Sequence, residues 1–477
     1  MGSPSSADNS LVRTLLRAEA LEIYRSSGDQ LAEGRTLWQL ARHLGRNGRH
    51  VEGLTSARQA VAVLEQVPPC PELALAYVQL SGAYALTVNP HAITWAAKAI
   101  SLGAEVGCLQ AVYDGLNNIG TIEVSRGELA GLSKLERSRD LAGQAGDSAG
   151  VARAHLHICW TLTLRRHWSL LGQYLAPAIA YCLDHGQELW LDMLRSCQLE
   201  ADLAAGRWDQ AATDADAILA RAAPAIQAGG VTALLVLATI RARRGEQGYW
   251  PLLDQALKSS KRAGGARLLP NVAAARAEAA WLEGRIADVL TEATIPAGPF
   301  HELHPVVAAE LRYWRWRAGG DSGALEDLPE PYRMLIAGDR QGASRWWREH
   351  GSRYEAALAL SGSGDVAELR AAIGVLDSLG ARPAVAILVR ELRALGERRV
   401  PGDPRPAPSP HPAGLTAREV EVLLLLAAGM RNAEIAAHLV VSPRTVDHHV
   451  SAVLRKLKVS TRSQAITAAI RLGLVQA

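Results

Sequence analysis

Cysteine, phenylalanine and long apolar runs are all scarce in this 477-residue sequence. The five cysteines are scattered and form no C-x-x-C pair, which argues against a disulfide framework or a zinc site and favours buried thiols in a reducing cytosol. The longest apolar stretches, such as Val420 to Met430, are too short to cross a bilayer. Met1 to Ser10 is polar, unlike a signal peptide. We therefore expect a cytoplasmic protein with no membrane partner.

Lysine is equally scarce, and basic residues are in excess at one end only. The chain has six lysines and one phenylalanine, while alanine, leucine and arginine dominate, which favours helix over strand. Residues 414–477 hold eight Lys/Arg against four Asp/Glu, whereas the preceding part holds 43 against 44. A basic module on a neutral body is typical of a nucleic-acid reader with a separate sensor, although a solubilising tail would look the same.

Helix-breaking residues recur along the chain, mostly every 38 to 40 residues. One series comprises Asp29, Pro68, Gly107, Gly146, Gly186, Gly229, Gly265 and Gly298. A second, offset series comprises Gly48, Asn89, Gly127, Arg166, Gly206, Gly245, Gly284 and Gly320. Two interleaved series with one period predict a repeated pair of helices, of which about seven or eight fit between Leu11 and Gly320.

Each helix pair can bury its apolar face only by stacking on its neighbours. The predicted fold is therefore all-α, with a tetratricopeptide-like helical-hairpin superhelix over residues 1–396. The repeat weakens after Asp321, where we expect shorter helices such as 342–349 and 366–379. Such an array offers a groove for an unknown protein or small-molecule effector. The most conspicuous tryptophans are expected to fill gaps between helices rather than bind ligand: Trp314, Trp316, Trp346 and Trp347.

Residues 397–413 form the clearest predicted linker. Six prolines in this stretch remove backbone donors and prevent helix, so we expect an extended, semi-rigid segment. The prolines are Pro401, Pro404, Pro406, Pro408, Pro410 and Pro412. The linker would separate the array from a module at 414–477.

The sequence of that module predicts four short helices. Thr416 and Glu419 form a capping box for the first, whose core face is Val420, Leu423, Leu424 and Ala427, and Gly429 ends it. Asn432 is predicted to cap the second helix, which runs through Leu439 with Ile435 and Ala436 in the core. Ser442 caps the third, Pro443 to Leu457, and Ser463 caps a fourth that reaches about Leu472.

The third helix separates into two faces at about 100° per residue. The predicted core face comprises Val446, Val450, Val453, Leu454 and Leu457. The opposite face carries Arg444, Asp447, His448, Ser451 and Arg455, which are suited to a major groove about 12 Å wide. Lys456, Lys458 and Arg462 follow, placed for phosphates. An ordinary helical bundle with a basic surface is the alternative. The predicted DNA-binding set is completed by Asn432, Ser442 and Thr445.

Two members of this set leave alternatives open. Asp447 could accept a hydrogen bond from a cytosine amino group, or it could hold a neighbouring arginine in place. His448 points outward, whereas the adjacent His449 lies at the edge of the core face and is expected to be structural.

The module resembles the LuxR/FixJ-type DNA-binding domain. The matching residues are Leu415, Thr416, Arg418, Glu419, Glu421, Val422, Leu423, Asn432, Glu434, Ile435, Ala436, Ser442, Thr445, Val446, His449, Val450, Lys456, Leu457 and Arg462. The resemblance implies that the third helix reads DNA and that the protein binds two-fold related half-sites as a homodimer. The positions matching base-facing sites are Asp447, His448 and Ser451. Many members carry lysine at the first and last of these, so base preferences cannot be transferred.

The preceding region resembles the helical part of large ATP-binding LuxR-type regulators, the group that includes MalT-like activators. The similar stretches are the array, Leu311 to Arg317, Glu330 to Tyr332, and Leu376 to Leu395. Those regulators have a phosphate-binding loop, yet this sequence contains no G-x-x-x-x-G-K-S/T motif. The chain is expected to be either a shortened relative or a fragment, and ATP-driven switching is not carried over.

These observations predict a sequence-specific transcriptional regulator acting on promoter or operator DNA. The resemblance implies activation and RNA polymerase as a partner. The alternative is an interaction scaffold whose DNA-binding module only localises it. No catalytic, metal or cofactor residue is predicted, because the short-spaced histidine pairs His155/His157 and His301/His304 lack a third ligand type nearby in the sequence.

Overall fold

The computed structural model describes the larger part of the chain, and each regular element within that part is a helix. The described residues are 19–46, 49–85, 89–221, 228–262, 268–294, 305–397, 415, 417–439 and 442–471. They belong to two compact units, Met1–Pro401 and Gly402–Ala477. The predicted all-α fold is confirmed. The predicted proline-rich linker lies almost entirely outside the described residues.

The first unit is built from helices of six to eighteen residues. Its helices are α1 (19–27), α2 (Gln30–Arg46), α3 (His50–Leu64), α4 (Pro71–Ala85), α5 (His91–Glu105), α6 (Leu109–Arg126), α7 (Gly131–Gln144), α8 (Ser148–Leu164), α9 (Trp168–Asp184), α10 (Glu188–Ala204), α11 (Trp208–Arg221), α12 (Ala228–Arg244), α13 (Tyr249–Arg262), α14 (Leu269–Leu282), α15 (Ile286–Glu292), α16 (Pro305–Arg317), α17 (Tyr332–Ala337), α18 (Arg340–Glu349), α19 (Arg353–Leu358), α20 (Val366–Ser378) and α21 (Arg382–Ala394).

The helices from α2 to α15 form the predicted repeat of helix pairs. Each even-numbered helix packs against the odd-numbered helix that follows it and against the next even-numbered helix, from α2 through α16. Successive even-numbered helices begin 36 to 41 residues apart, at Gln30, Pro71, Leu109, Ser148, Glu188, Ala228, Leu269 and Pro305. The even-numbered helices therefore make one continuous layer, which is the packing expected of a helical-hairpin array.

Left-handed backbone marks eight of the sixteen predicted turn positions. The glycines of the two series with positive φ are Gly107, Gly127, Gly146, Gly186, Gly206, Gly245 and Gly284. Arg166 occupies the equivalent turn with a φ of 60°, although it has a side chain. The prediction was wrong at Gly229, which lies inside α12. Gly48, Gly265 and Gly298 lie outside the described residues.

The core of the first unit follows the sequence expectations. Trp314 and Trp347 are each 4% exposed and pack among helices, with Trp316 and Trp346 at the edge of the same cluster. The three cysteines of α8, α9 and α10 are buried thiols: Cys159, Cys182 and Cys197. None of the described helices combines the length and the apolarity needed to span a membrane.

The shorter helices α17–α21 appear where the repeat was predicted to weaken, but they pack back onto the array. Helix α19 contacts α10, and α21 contacts α12. The Ser169 amide donates to the carbonyl of His350 at 3.2 Å, and the Ser169 hydroxyl donates to the carbonyl of Glu349 at 2.9 Å. Because α10 and α12 belong to the even-numbered layer, helices α19 and α21 cover part of that layer.

The second unit contains α22 (Ala417–Ala427), α23 (Asn432–His438), α24 (Pro443–Lys456) and α25 (Arg462–Arg471). Helix α24 contacts all three of the others. Its apolar side chains join two small clusters, one shared with α22 and α25 and one shared with α22 and α23. This packing fixes which side of α24 remains outside.

Candidate nucleic-acid interface

Helix α24 has the two faces that its sequence predicts. Val446 and Val453 are fully buried, and Val450, Leu454 and Leu457 pack against the same clusters. The opposite face is exposed within the second unit along its whole length. Its exposed side chains are Arg444, Asp447, His448, Ser451 and Arg455. Polar and basic groups therefore line one side of a helix whose other side anchors it.

The beginning of α24 is capped as predicted. The Ser442 hydroxyl accepts a hydrogen bond from the Thr445 amide at 3.1 Å and lies 2.8 Å from the Thr445 hydroxyl. Pro443 takes the first helical position, where its missing N–H leaves nothing unsatisfied. The cap sets the direction of the exposed face at its N-terminal end.

Asn432 has a different role from the predicted one. Arg431, not Asn432, precedes the first residue of α23, and the Arg431 amide donates to Glu434 Oε2 at 2.7 Å. The Asn432 side-chain amide instead donates to Asp447 Oδ1 at 2.7 Å. This bond connects α23 to α24, so Asp447 holds an asparagine rather than an arginine in place. Asp447 Oδ1 therefore already accepts a hydrogen bond within the domain.

Two of the predicted phosphate-contacting cations have intramolecular partners. Lys456 Nζ donates to Glu419 Oε2 at 2.6 Å, and Glu419 is only 6% exposed. Arg462 donates to the carbonyl of Met430, which connects α25 to the turn after α22. Lys458, in contrast, is exposed just after α24, with a left-handed φ of 54°. Arg431 is also exposed, although the sequence pattern did not single it out.

The predicted core face of α22 was rotated by about one residue. Glu419, Val422, Leu423 and Leu426 are buried, whereas Leu424 is 43% exposed. The run from Val420 to Ala428 is apolar on nearly every side, so its pattern does not fix the phase of the helix. Gly429 ends this helix as predicted, with a φ of +84°. The predicted cap Thr416 lies outside the described residues.

The fourth helix begins two residues earlier than predicted. Helix α25 starts at Arg462, which places Ser463 inside the helix. Thr461 caps it: its hydroxyl accepts from the Gln464 amide at 3.3 Å, and Gln464 Oε1 accepts from the Thr461 amide at 3.2 Å. Thr and Gln three residues apart are the pattern of a capping box.

The described histidines named above differ in exposure. His449 is half-buried at the edge of the core face, while His448 is exposed. In the first unit His155 is 8% exposed, and burial lowers its pKa to about 4. His157 Nδ1 lies 2.6 Å from the side-chain nitrogen of Asn117. His301 and His304 lie outside the described residues.

The sequence of the second unit is similar to that of known proteins. Residues 413–469 match the sequence profile of a family described as bacterial regulatory proteins, luxR family. The C-terminal unit carries a LuxR-family helix-turn-helix domain. Such domains bind DNA in transcriptional regulators, and the repeat array that precedes this one is consistent with a MalT-like arrangement.

The similar curated proteins share this domain alone. An uncharacterized transcriptional regulatory protein, YxjL of Bacillus subtilis (strain 168), is 49% identical over 61 residues, which are 13% of this chain and 28% of that protein. The response regulator protein VraR of Staphylococcus aureus (strain Mu3) is 47% identical over 62 residues, which are 13% of this chain and 30% of that protein. The chain thus spans less than a third of either relative.

Among solved structures, a circular tandem repeat protein with novel repeat topology and enhanced subunit contact surfaces also matches. The two chains are 13% identical over 97% of this chain and 92% of the other, with a TM-score of 0.13. A superposition of this quality supports no inference.

Proposed function

We propose that the protein is a sequence-specific transcriptional regulator that inserts the exposed face of α24 into the major groove of promoter or operator DNA. The observation that carries the proposal is the two-sided character of α24. Buried valines hold one side, and exposed polar and basic groups form the other. A helix held in this way can enter a groove without rearranging its own core.

The exposed side chains divide between reading bases and holding phosphates. His448 and Ser451 lie at the middle of the face, where short donors approach base edges, and the second Asp447 oxygen is available to accept from a cytosine amino group. Arg444, Arg455 and Lys458 would contact phosphates, helped by Arg431. Lys456 and Arg462 would add positive charge near the phosphates while keeping their internal partners. Asn432, Ser442 and Thr445 would position the helix.

The wider architecture is part of the proposal. A sensor or interaction domain over 1–396 and a linker over 397–413 would deliver the DNA-binding domain at 414–477 to DNA in the cytoplasm. Two copies would bind related half-sites, and the complex would activate transcription through RNA polymerase. The support for dimerisation and activation is the family likeness of the C-terminal domain.

Selection of duplexes from a random DNA pool by the full chain tests the proposal. An enriched sequence is expected, and failure to enrich any sequence at low salt would contradict it. On the enriched duplex, Arg444→Ala should weaken binding and reduce the slope of log affinity against log salt by about 0.9, the value for one lost phosphate contact.

The matched control is Arg345→Ala, which removes an exposed arginine from α18 in the first unit. Its affinity and salt dependence should equal those of the unaltered chain. Equal losses in both variants would show that the effect is one of net charge rather than of the α24 face.

A further inference from the structure

A cavity of about 120 Å³ lies inside the first unit. Helices α10, α12 and α14 form one side, and the segment from α17 to α19 forms the other. A single water needs only about 10–15 Å³, and an engineered cavity of about 150 Å³ binds benzene. The space therefore suits a molecule of a few heavy atoms.

The charged groups around the cavity are unbalanced. Arg166 lies 3.5 Å from Glu200 and 2.7 Å from Glu310. Arg243 lies 2.7 Å from Glu278 and 2.8 Å from Glu355. Each arginine thus serves two carboxylates, and among the described residues lining the cavity these four carboxylates face two cations. The charged side chains of the lining therefore favour a bound cation over a bound anion.

The unfilled hydrogen-bonding groups in the cavity wall are mostly acceptors. Glu355 Oε2, Asn271 Oδ1 and Ser352 Oγ are buried and have no hydrogen-bond partner within the described part of the chain. Ser352 is 1% exposed, and all three residues line the cavity. Arg243 Nη1 is also unpaired and can only donate, whereas the Ser352 hydroxyl can either donate or accept. A ligand rich in N–H donors would give these acceptor atoms hydrogen-bond partners. Such partners are favourable, because a buried polar atom without one is destabilising.

Burial and aromatic contacts favour the same kind of guest. Burial raises the pKa of Glu200 and of Glu278, because desolvation disfavours a negative charge. Trp168, Tyr332 and Trp347 also line the space, and aromatic rings attract cations.

We propose that this cavity binds a small organic cation, an alkylammonium or guanidinium compound whose N–H groups donate to Glu355, Asn271 and Ser352. The ligand would bridge the repeat array and the segment α17–α19, because Asn271 belongs to α14 whereas Ser352 and Glu355 lie at α19. Any effect of the cation on DNA binding rests on the proposed function, whereas binding of the cation does not.

Thermal unfolding of the full chain, followed by tryptophan fluorescence, tests the proposal with four small probes at constant ionic strength. The probes are n-propylammonium, ethylguanidinium, n-propanol and propionate. At least one of the two cations should raise the Tm in a saturable way, while propanol and propionate should not. No saturable response to either cation, or an equal response to propanol or propionate, would mean that only water and the ion pairs occupy the cavity.

Three variants locate the binding. Glu355→Gln should weaken the affinity for the cation about tenfold or more, since it removes a charged acceptor. Ser352→Ala should weaken it several-fold and decides the matter if Glu355→Gln fails to fold. Glu349→Gln, which neutralises an exposed carboxylate on α18, is the control and should leave the affinity unchanged. Unaltered affinity in Ser352→Ala would overturn the proposed contacts.

DNA binding is measured separately, without any cation present. A chain that enriches a DNA sequence yet responds to neither cation refutes the cavity proposal alone. A chain that binds a cation and enriches no DNA refutes the regulator proposal alone.

Discussion

Arg243 in the first unit and Arg444 in the second unit show two opposite environments for arginine. In the first unit Arg243, with a side chain 7% exposed, lies between Glu278 and Glu355 and stacks on Tyr354 with its guanidinium carbon 3.8 Å from the ring centre. In the second unit Arg444 and Arg455 are exposed on α24. Burial makes the first kind of arginine part of the fold, whereas exposure leaves the second kind available to a polyanion. Net charge alone cannot separate the two uses.

The largest expected effect comes from breaking the buried cluster. Arg243→Ala leaves the carboxylates of Glu278 and Glu355 without their cation and should destabilise the first unit by about 3–5 kcal/mol. The adjacent Arg244→Ala should cost about 0–1 kcal/mol, because Arg244 is 26% exposed and pairs with the 92% exposed Asp209.

Tryptophan fluorescence during denaturation measures this difference, because all twelve tryptophans precede residue 402 and report on the first unit alone. Similar losses in the two variants would remove the distinction between buried and exposed arginine on which the comparison rests.

A smaller effect sharpens the comparison within the second unit. Leu423→Ala removes a fully buried side chain from α22 and should destabilise that unit by about 2–5 kcal/mol. Leu424→Ala removes its 43% exposed neighbour and should change stability by less than about 1 kcal/mol. Hydrogen exchange of peptides from residues 417–471 measures both. A larger loss of stability in Leu424→Ala than in Leu423→Ala would contradict the observed burial and favour the core face predicted from the sequence.

The smallest effect tests the turns that make the first unit a repeat. Gly146 has a φ of +70°, and no atom lies within 4 Å of the position that a Cβ would take, so Gly146→Ala should cost about 1–2 kcal/mol through backbone strain alone. Gly172 lies inside α9 with equally open space, so Gly172→Ala should instead stabilise by about 0.5–1 kcal/mol. Denaturation followed by tryptophan fluorescence gives both values. The same sign for both variants would contradict the assigned turn geometry.

Local signals made most of the fold predictable. The spacing of Gly107, Gly146 and Gly186 revealed the repeat, because a helix pair must turn at each period. Alternating faces at 3.6 residues per turn separated Val446 and Val453 from His448 and Ser451. These signals depend on neighbours in sequence, which is why the chain alone displays them.

Long-range packing was not predictable in the same way. Arg166 and Glu310 form an ion pair although they are 144 residues apart in the sequence, and no local sequence pattern predicts such a pair. The packing of α19 on α10 and of α21 on α12 likewise joins segments that are distant in sequence, so no local pattern predicts it. The Asn432–Asp447 bond was missed because Asn432 also suits a helix cap, and only the packing of α23 on α24 selects between the two roles.

Photo-cross-linking from α24 tests the central claim most directly. A photoreactive amino acid replaces His448 on the exposed face of α24 in one full-length variant and the exposed Ser463 of α25 in a second. On the selected duplex, the first variant should cross-link to bases within the enriched sequence, and the second should give little or none. Equal cross-linking from both positions, or none from position 448 while DNA remains bound, would contradict the account.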